Sequence, residues 1–425
     1  MDPVTIVLIF GALAALYKTS LPYPKCQINV SSSAPLLVTN IGSQIILSDY
    51  YGLIERNKSE EIQFYCGTGF TFKNDGISQL ISDNRMETLI CQPDGSFLLQ
   101  NHGIKIKGDA RSVECQNGVA AMFESRIGLP NCKDHTTLLL GNDFQDMGSI
   151  KSAALCYDIA GTNLKYLTYI THPTRSRVVK KTHLGDLNKL GFDLSVDGSD
   201  RFFKKASQAD VDAFWNKDKV LSQMFGTGPF DYASLVQDEA LGAQLAGYEG
   251  MMSVVWLHSL RTGNWRHWLA ALRSASVSGK QFEVRLGVSG VLEMPESRDG
   301  CDLAIDLADG NSLPVPVHIW AHVRDLQPTG AAQDEFVLVG HNSPFLRGDP
   351  SAEFCPSVCD EVSWLKGTLF ASLHRYPING LMLCCRVEDV AQTLDSFYGS
   401  TAHAAATTEN LKVAEDLVLY ELIQK

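Results

Sequence analysis

Eleven cysteines constrain this chain more than any other feature: Cys26, Cys66, Cys91, Cys115, Cys132, Cys156, Cys301, Cys355, Cys359, Cys384 and Cys385. In an oxidising compartment such residues pair, and the pairs decide which segments lie side by side. Zinc is the rival use of cysteine. No Cys-x-x-Cys pair occurs, and Cys355 and Cys359 have no nearby histidine at ligand spacing, so disulfides are expected instead. An odd count leaves at least one thiol free or bridged to another chain.

The N-terminus points to the same compartment. Val4–Tyr17 is almost wholly apolar and is followed by Lys18-Thr19-Ser20. A run of that length suits the core of a signal peptide and is short for a membrane span. Residues 1–20 are therefore expected to be a signal peptide, with an uncleaved N-terminal anchor as the rival reading. Secretion is expected, with no membrane attachment once the leader is removed. In that context Asn29-Val-Ser and Asn57-Lys-Ser are glycosylation acceptors.

A chain of 425 residues exceeds one core of ordinary size, so two folded units are expected after the leader. Residues 21–134 read as a β-rich domain that carries five of the cysteines. Short β-prone runs such as Ala34–Thr39, Gln44–Ser48, Phe70–Phe72, Phe97–Gln100 and Ile104–Lys107 alternate there with Asn-Asp-Gly, Pro-Asp-Gly and Asn-His-Gly turns. Residues 135–425 mix strands and helices without βαβ alternation, which indicates an α+β domain. Its expected strands are Tyr166–Thr171, Arg177–Lys180, Met251–Leu257, Phe282–Leu286, Val291–Met294, Val315–Val323 and Glu335–Gly340. Helical spacing marks Gln208–Met224 and Thr408–Gln424. It also marks a helix starting at Trp265, capped by Asn264, with Trp265, Trp268, Leu269 and Leu272 on its apolar face.

The second unit resembles the DNA/RNA non-specific endonuclease family in its secreted insect form. The resemblance rests on Gly263-Asn264-Trp265 opening a helix, on Phe282–Pro295, and on His341–Phe345 leading into Cys355–Cys359, Trp364 and Leu383–Cys385. Leu155–Thr171 adds a fourth stretch in the same order. The resemblance implies a ββα-metal core, with magnesium beside a helix and a histidine that activates water. It also implies that Cys384 and Cys385, which as neighbours rarely bridge each other, reach different partners in Cys355 and Cys359.

At the positions that match the family's catalytic residues, this sequence departs from the pattern. The stretch that aligns with Arg-Gly-His-Leu is Tyr232-Ala233-Ser234-Leu235, so Ser234 replaces the histidine. Met252 and Arg261 replace asparagines, and Leu269 replaces a glutamate. Methionine and leucine offer no oxygen, and arginine has no acceptor atom and would repel a dication. His183, in Lys181-Thr182-His183-Leu184, looks like a decayed motif but lies far upstream of Arg261. His318 and His322, four apart in a strand, lack a third ligand in sequence. His258 and His267 flank the altered turn.

Three functions follow as expectations. The first is a catalytically inactive pseudonuclease, needing no cofactor, that binds nucleic acid weakly or an unidentified protein. Within it, Arg261 either anchors a phosphate or pairs with a local acid such as Glu249. The second is an active, magnesium-dependent endonuclease with relocated ligands such as Asp231, Asp238 or Glu239. The third is a secreted scaffold. The formal net charge of −12 weighs against strong polyanion binding.

Overall fold

The computed structural model describes residues 24–399, except 31–35, 40–43, 48–51, 67, 75–77, 107–111, 117–120, 126–127, 133, 144–148, 172–176, 181–190, 194–205, 218, 220–221, 224–227, 246, 294–301, 308–309, 330–333, 346–353 and 398. The expected leader, His183, Cys301 and the expected helix Thr408–Gln424 lie outside the described residues. Among the described residues, no helix is long and apolar enough to cross a membrane. The protein is a mixed α+β chain in which sheets predominate.

Two small sheets built mainly from the first part of the chain share one core. One runs Leu53–Arg56, Cys26–Val30, Ser112–Cys115, Phe70–Asn74, Ser78–Ser82; the other contains Phe97–Leu99, Met86–Cys91 and Glu61–Tyr65 at its centre. Alternation places Ile28, Phe72 and Val113 of the first sheet, and Phe64, Leu89 and Phe97 of the second, in a single buried cluster. Two disulfides, Cys26–Cys91 and Cys66–Cys115, tie one sheet to the other. Closing loops of this size removes about 4 kcal/mol of unfolded-state freedom per bridge in a chain-entropy account. Asn29 and Asn57 are exposed.

A nine-stranded antiparallel sheet dominates the rest. Its order is Gly191–Asp193, Ala121–Ser125, Thr136–Asp143, Ser149–Asp158, Asn163–Ile170, Phe282–Ser289, His318–Asp325, Glu335–His341, Met382–Cys385. It begins in chain order with Ala121–Ser125, ahead of the boundary expected at residue 134. Arg177–Lys180, expected in the second unit, instead pairs with Gln44–Leu47.

Register fixes the two faces of this sheet. Leu138, Leu155, Leu167, Leu286, Ala321, Leu338 and Cys384 stand opposite one another across seven strands. They belong to the main core, which also holds Trp265, Trp268 and Leu272 of the long helix. On the other face Cys156, Tyr166, Trp320, Val339 and Leu383 form a second cluster with Val390, Leu394 and Phe397. Gly287 sits opposite Trp320, and a Cβ there would stand 2.2 Å from the indole ring, so only glycine leaves the indole its place.

The adjacent Cys384 and Cys385 point to opposite faces of the edge strand and so reach different partners. Cys359–Cys384 and Cys355–Cys385 pin the 354–360 segment along that edge, where Val358 N–H also donates to Cys384 O at 2.7 Å. With Cys132–Cys156, five bridges use ten of the eleven cysteines, all but Cys301.

Several local expectations are corrected. Met251 and Met252 close a helical turn, Glu249–Met252, and the strand starts only at Ser253. The strand expected from Val315 starts at His318, because Pro314 and Pro316 lack the N–H a ladder requires. Val291–Glu293 makes one isolated bridge, Glu293 to Asp302, rather than a strand. The helix expected over Gln208–Met224 is present at Gln208–Lys217 and at Lys219, Ser222 and Gln223, and its other positions lie outside the described residues. Asn264 does not cap a helix: the chain is already helical from His258, and the Asn264 side chain turns inward.

Candidate functional site at a hairpin–helix junction

The strands Phe230–Ser234 and Ser253–Leu257 pair antiparallel, with Asp231 opposite Trp256 and Ser234 opposite Ser253. The chain then enters a helix without a loop: a turn at His258–Leu260, a wide turn at Arg261–Trp265 and a regular helix Arg266–Val277. The wide turn has a local cause. Gly263 lies against the Asn379 carbonyl, where a Cβ would stand 2.3 Å from the oxygen, and its backbone departs from helical angles. Asn264, fully buried, donates to Leu373 O at 2.9 Å and Gly380 O at 2.6 Å. Trp256, Trp265 and Trp268 stack edge to face with centroids 5.0 and 5.1 Å apart, which seats the helix on the hairpin.

At the junction four charged or polar groups converge, Asp231, Gln237, His258 and Arg261. Arg261 Nε donates to Asp231 Oδ2 at 2.8 Å, and Arg261 Nη1 reaches Gln237 Oε1 at 3.5 Å. His258 Nδ1 lies 2.9 Å and 3.1 Å from the two oxygens of the same carboxylate. Asp231 is largely shielded, whereas the His258 side chain is 56% exposed. The guanidinium neutralises the one carboxylate present.

The remaining expected positions do not gather around this cluster. Met252 is buried in the core, and Leu269 packs against it. Ser234 Oγ accepts from Val236 N–H at 3.1 Å. Asp238 Oδ1 accepts from Leu241 N–H at 3.1 Å, at the start of the short helix Glu239–Gln244. Glu239 pairs with Arg273 at 3.3 Å. Glu249 accepts from Gly247 N–H and is not the partner of Arg261; that partner is Asp231.

The opposite side of the hairpin lines a separate cleft of about 460 Å³, where Tyr232, Met251, Ser253 and Val254 face Asn163 and Lys165. Burial, with Asp210 adding to it, pushes the Tyr232 hydroxyl up to about 12, so it is a donor at neutral pH.

Sequence reading missed a buried polar network on the nine-stranded sheet. Arg285 donates to Glu283 Oε1 from Nε at 2.8 Å and Nη2 at 2.5 Å, and Arg324 binds the other carboxylate oxygen. Arg285 Nη1 lies 3.3 Å from His322 Nδ1, and His322 Nε2 lies 2.8 Å from Glu335 Oε1. Burial would raise Glu283, but Arg285 and Arg324 hold it at about 2. Burial lowers His322. The signal was present in Glu283-x-Arg285 and His322-x-Arg324, which put charge on one face of each strand at period two. His318 and His322 are thus separated in environment: His322 joins this network, while His318 faces His341 across the strand pair.

No family model matches the chain, and no curated protein matches it. Fold and site together define a disulfide-bonded α+β protein with an ion-paired histidine–aspartate–arginine cluster at a hairpin–helix junction. Among the described residues, no three His, Cys, Asp or Glu side chains form a group that could hold a metal.

Proposed function

We propose that this chain is a secreted pseudonuclease of the DNA/RNA non-specific endonuclease type, with an altered ββα core that no longer cuts nucleic acid. The observation that carries the reading is the Arg261–Asp231 ion pair, at 2.8 Å, where the resemblance places a metal-binding asparagine. Support for the ββα assignment comes from the direct passage of the 230–257 hairpin into the 258–277 helix. The residues present do not fit magnesium. A guanidinium supplies no oxygen and repels the ion, Leu269 and Met252 are apolar, and the nearest carboxylate is already engaged.

Active chemistry through relocated ligands finds no support, since Asp231, Asp238 and Glu239 each have a structural partner. Arg261 would bind a phosphate only in competition with Asp231, so nucleic-acid binding through this residue is expected to be weak. The five disulfides favour an oxidising compartment, and exposed Asn29 and Asn57 suit glycosylation there. The assignment is tested by superposing residues 230–277 of an experimental structure on a nuclease of that family. Arg261 should fall on the metal-binding asparagine. A hairpin and helix of different handedness or spacing would refute the assignment.

A further inference from the structure

We propose that the cleft between the 230–257 hairpin and the nine-stranded sheet is a binding site for a neutral sugar. The proposal does not rest on the nuclease reading. The cleft holds about 460 Å³, within the range of ~300–1,000 Å³ usual for small-molecule sites. A β-bulge brings Lys165 to it. Cys156 pairs with Tyr166 and Tyr157 with Leu164, so Lys165 is the extra residue between them and escapes the alternation of its strand. Bulges of this kind re-aim a side chain, and Lys165 lines the cleft. Its partner Asp158 stands 3.6 Å from the ammonium, too far for a full hydrogen bond, so the donors of Lys165 remain available to a ligand.

A second charged group, Asp395, is clamped at the end of the strand Phe282–Ser289. Gly290 N–H donates to Asp395 Oδ2 at 2.8 Å, and Asp395 N–H donates to Ser289 Oγ at 2.9 Å. The turn requires glycine: Gly290 has a φ of +66°, and a Cβ there would stand 2.4 Å from Val317 Cγ1. Asp395 Oδ1 and the Asn163 side-chain amide have no hydrogen-bond partner among the described residues. Thr162 and Ser396, which also line the cleft, have φ of 52° and 59°. Non-glycine residues seldom hold such angles, and those that do concentrate where ligands bind. The lining selects the ligand. One cation and one anion leave the cleft without net charge, so an anion would meet Asp395 and a cation would meet Lys165. A sugar hydroxyl both donates and accepts, and so uses the ammonium, the amide and the carboxylate together. Tyr232, Val254, Val288 and Leu313 supply an apolar wall for the C–H face of a pyranose ring.

The test is saturation-transfer-difference NMR on the full chain with the methyl glycosides of glucose, galactose, mannose and N-acetylglucosamine, and with leucine as a zwitterionic probe. At least one glycoside should receive saturation, mainly through its ring C–H protons, and leucine should not. Adding that glycoside should shift the amide signals of Lys165, Gly290 and Asp395. Lys165→Met and Asp395→Asn should each weaken binding by about tenfold or more. Lys366→Ala, at an exposed position outside the cleft, should bind like the parent. Binding of none of the glycosides, leucine bound in their place, or affinity that survives both cleft substitutions would overturn the proposal. The amide shifts of the unsubstituted chain decide the matter even if a variant fails to fold, and shifts confined to other residues would refute the site.

Discussion

Asp231 and Arg261 meet at 2.8 Å across the junction between a strand and the helix that follows its partner strand. In the proposed reading Arg261 stands where the resemblance places a metal-binding asparagine, and Asp231 lies three residues before Ser234, which stands where it places the histidine. Here a fixed cation from the chain itself stands beside the carboxylate, and His258 Nδ1 lies within reach of both of its oxygens. The cluster is complete without an added ion.

This pairing predicts the outcome of Arg261→Ala. Asp231 keeps His258 but loses its permanent countercharge, and the pair is partly exposed, so stability should fall by about 1 kcal/mol. Oligonucleotide binding at low salt should not change, because the guanidinium was already engaged. Urea denaturation and a binding titration check the two halves separately.

Gly287→Ala tests the packing of the nine-stranded sheet. The added methyl would stand 2.2 Å from the Trp320 ring, with strands on both sides preventing retreat. Overpacking of this kind costs about 1–3 kcal/mol. The denaturation midpoint should fall with little change in slope. An unchanged midpoint would mean that the indole moves freely.

The buried network makes stability depend on pH in a defined direction. Glu283 is held at about 2, below its ordinary 4.5, so its contribution is fully present above the unfolded value and is lost as pH falls toward 2. Burial also lowers His322; below its unfolded value near 6.5 the unfolded chain takes up a proton that the folded chain refuses, so stability again falls with acid. Denaturation midpoints should therefore decline from neutral pH downward. Glu283→Gln should be less stable at pH 7, by a margin that shrinks as the pH approaches 3. A margin independent of pH would contradict the ion-paired arrangement.

Peptide mapping without reduction should recover Cys355–Cys385 and Cys359–Cys384. The reverse pairing would require each side chain to cross to the other face of the edge strand, which the alternation of Cys384 and Cys385 forbids. Finding the reverse pair would show that the register of Met382–Cys385 is different.

Much of the sheet was legible in the sequence because its strands carry local signals. Phe282–Ser289 and Glu335–His341 are runs of β-formers, and both fold as strands. The hairpin strand Phe230–Ser234 was not legible, since Asp231, Ala233 and Ser234 have weak strand preference and gain their conformation from pairing with Ser253–Leu257. Without that strand, the meeting of Asp231 with Arg261 could not be anticipated, and Glu249, closer in sequence, looked the better partner. Asn264 misled for a related reason. A cap is a local choice, but tertiary contacts with Leu373 and Gly380 recruited its side chain inward. The histidine pair is a product of register: His318 and His341 are 4.9 Å apart in space, and only the strand alignment brings them together.

The proposed loss of nuclease activity rests on the Asp231–Arg261 ion pair, which lies where the resemblance would place a metal ligand. The most direct test is digestion of plasmid DNA and double-stranded RNA by the purified chain with magnesium, manganese or calcium. No cleavage is expected with any of them. None is expected after Arg261→Asn alone either, since the base and the other ligands would still be missing. Cleavage that depends on the divalent ion, co-purifies with the chain and disappears in Asp231→Asn would contradict the proposed loss.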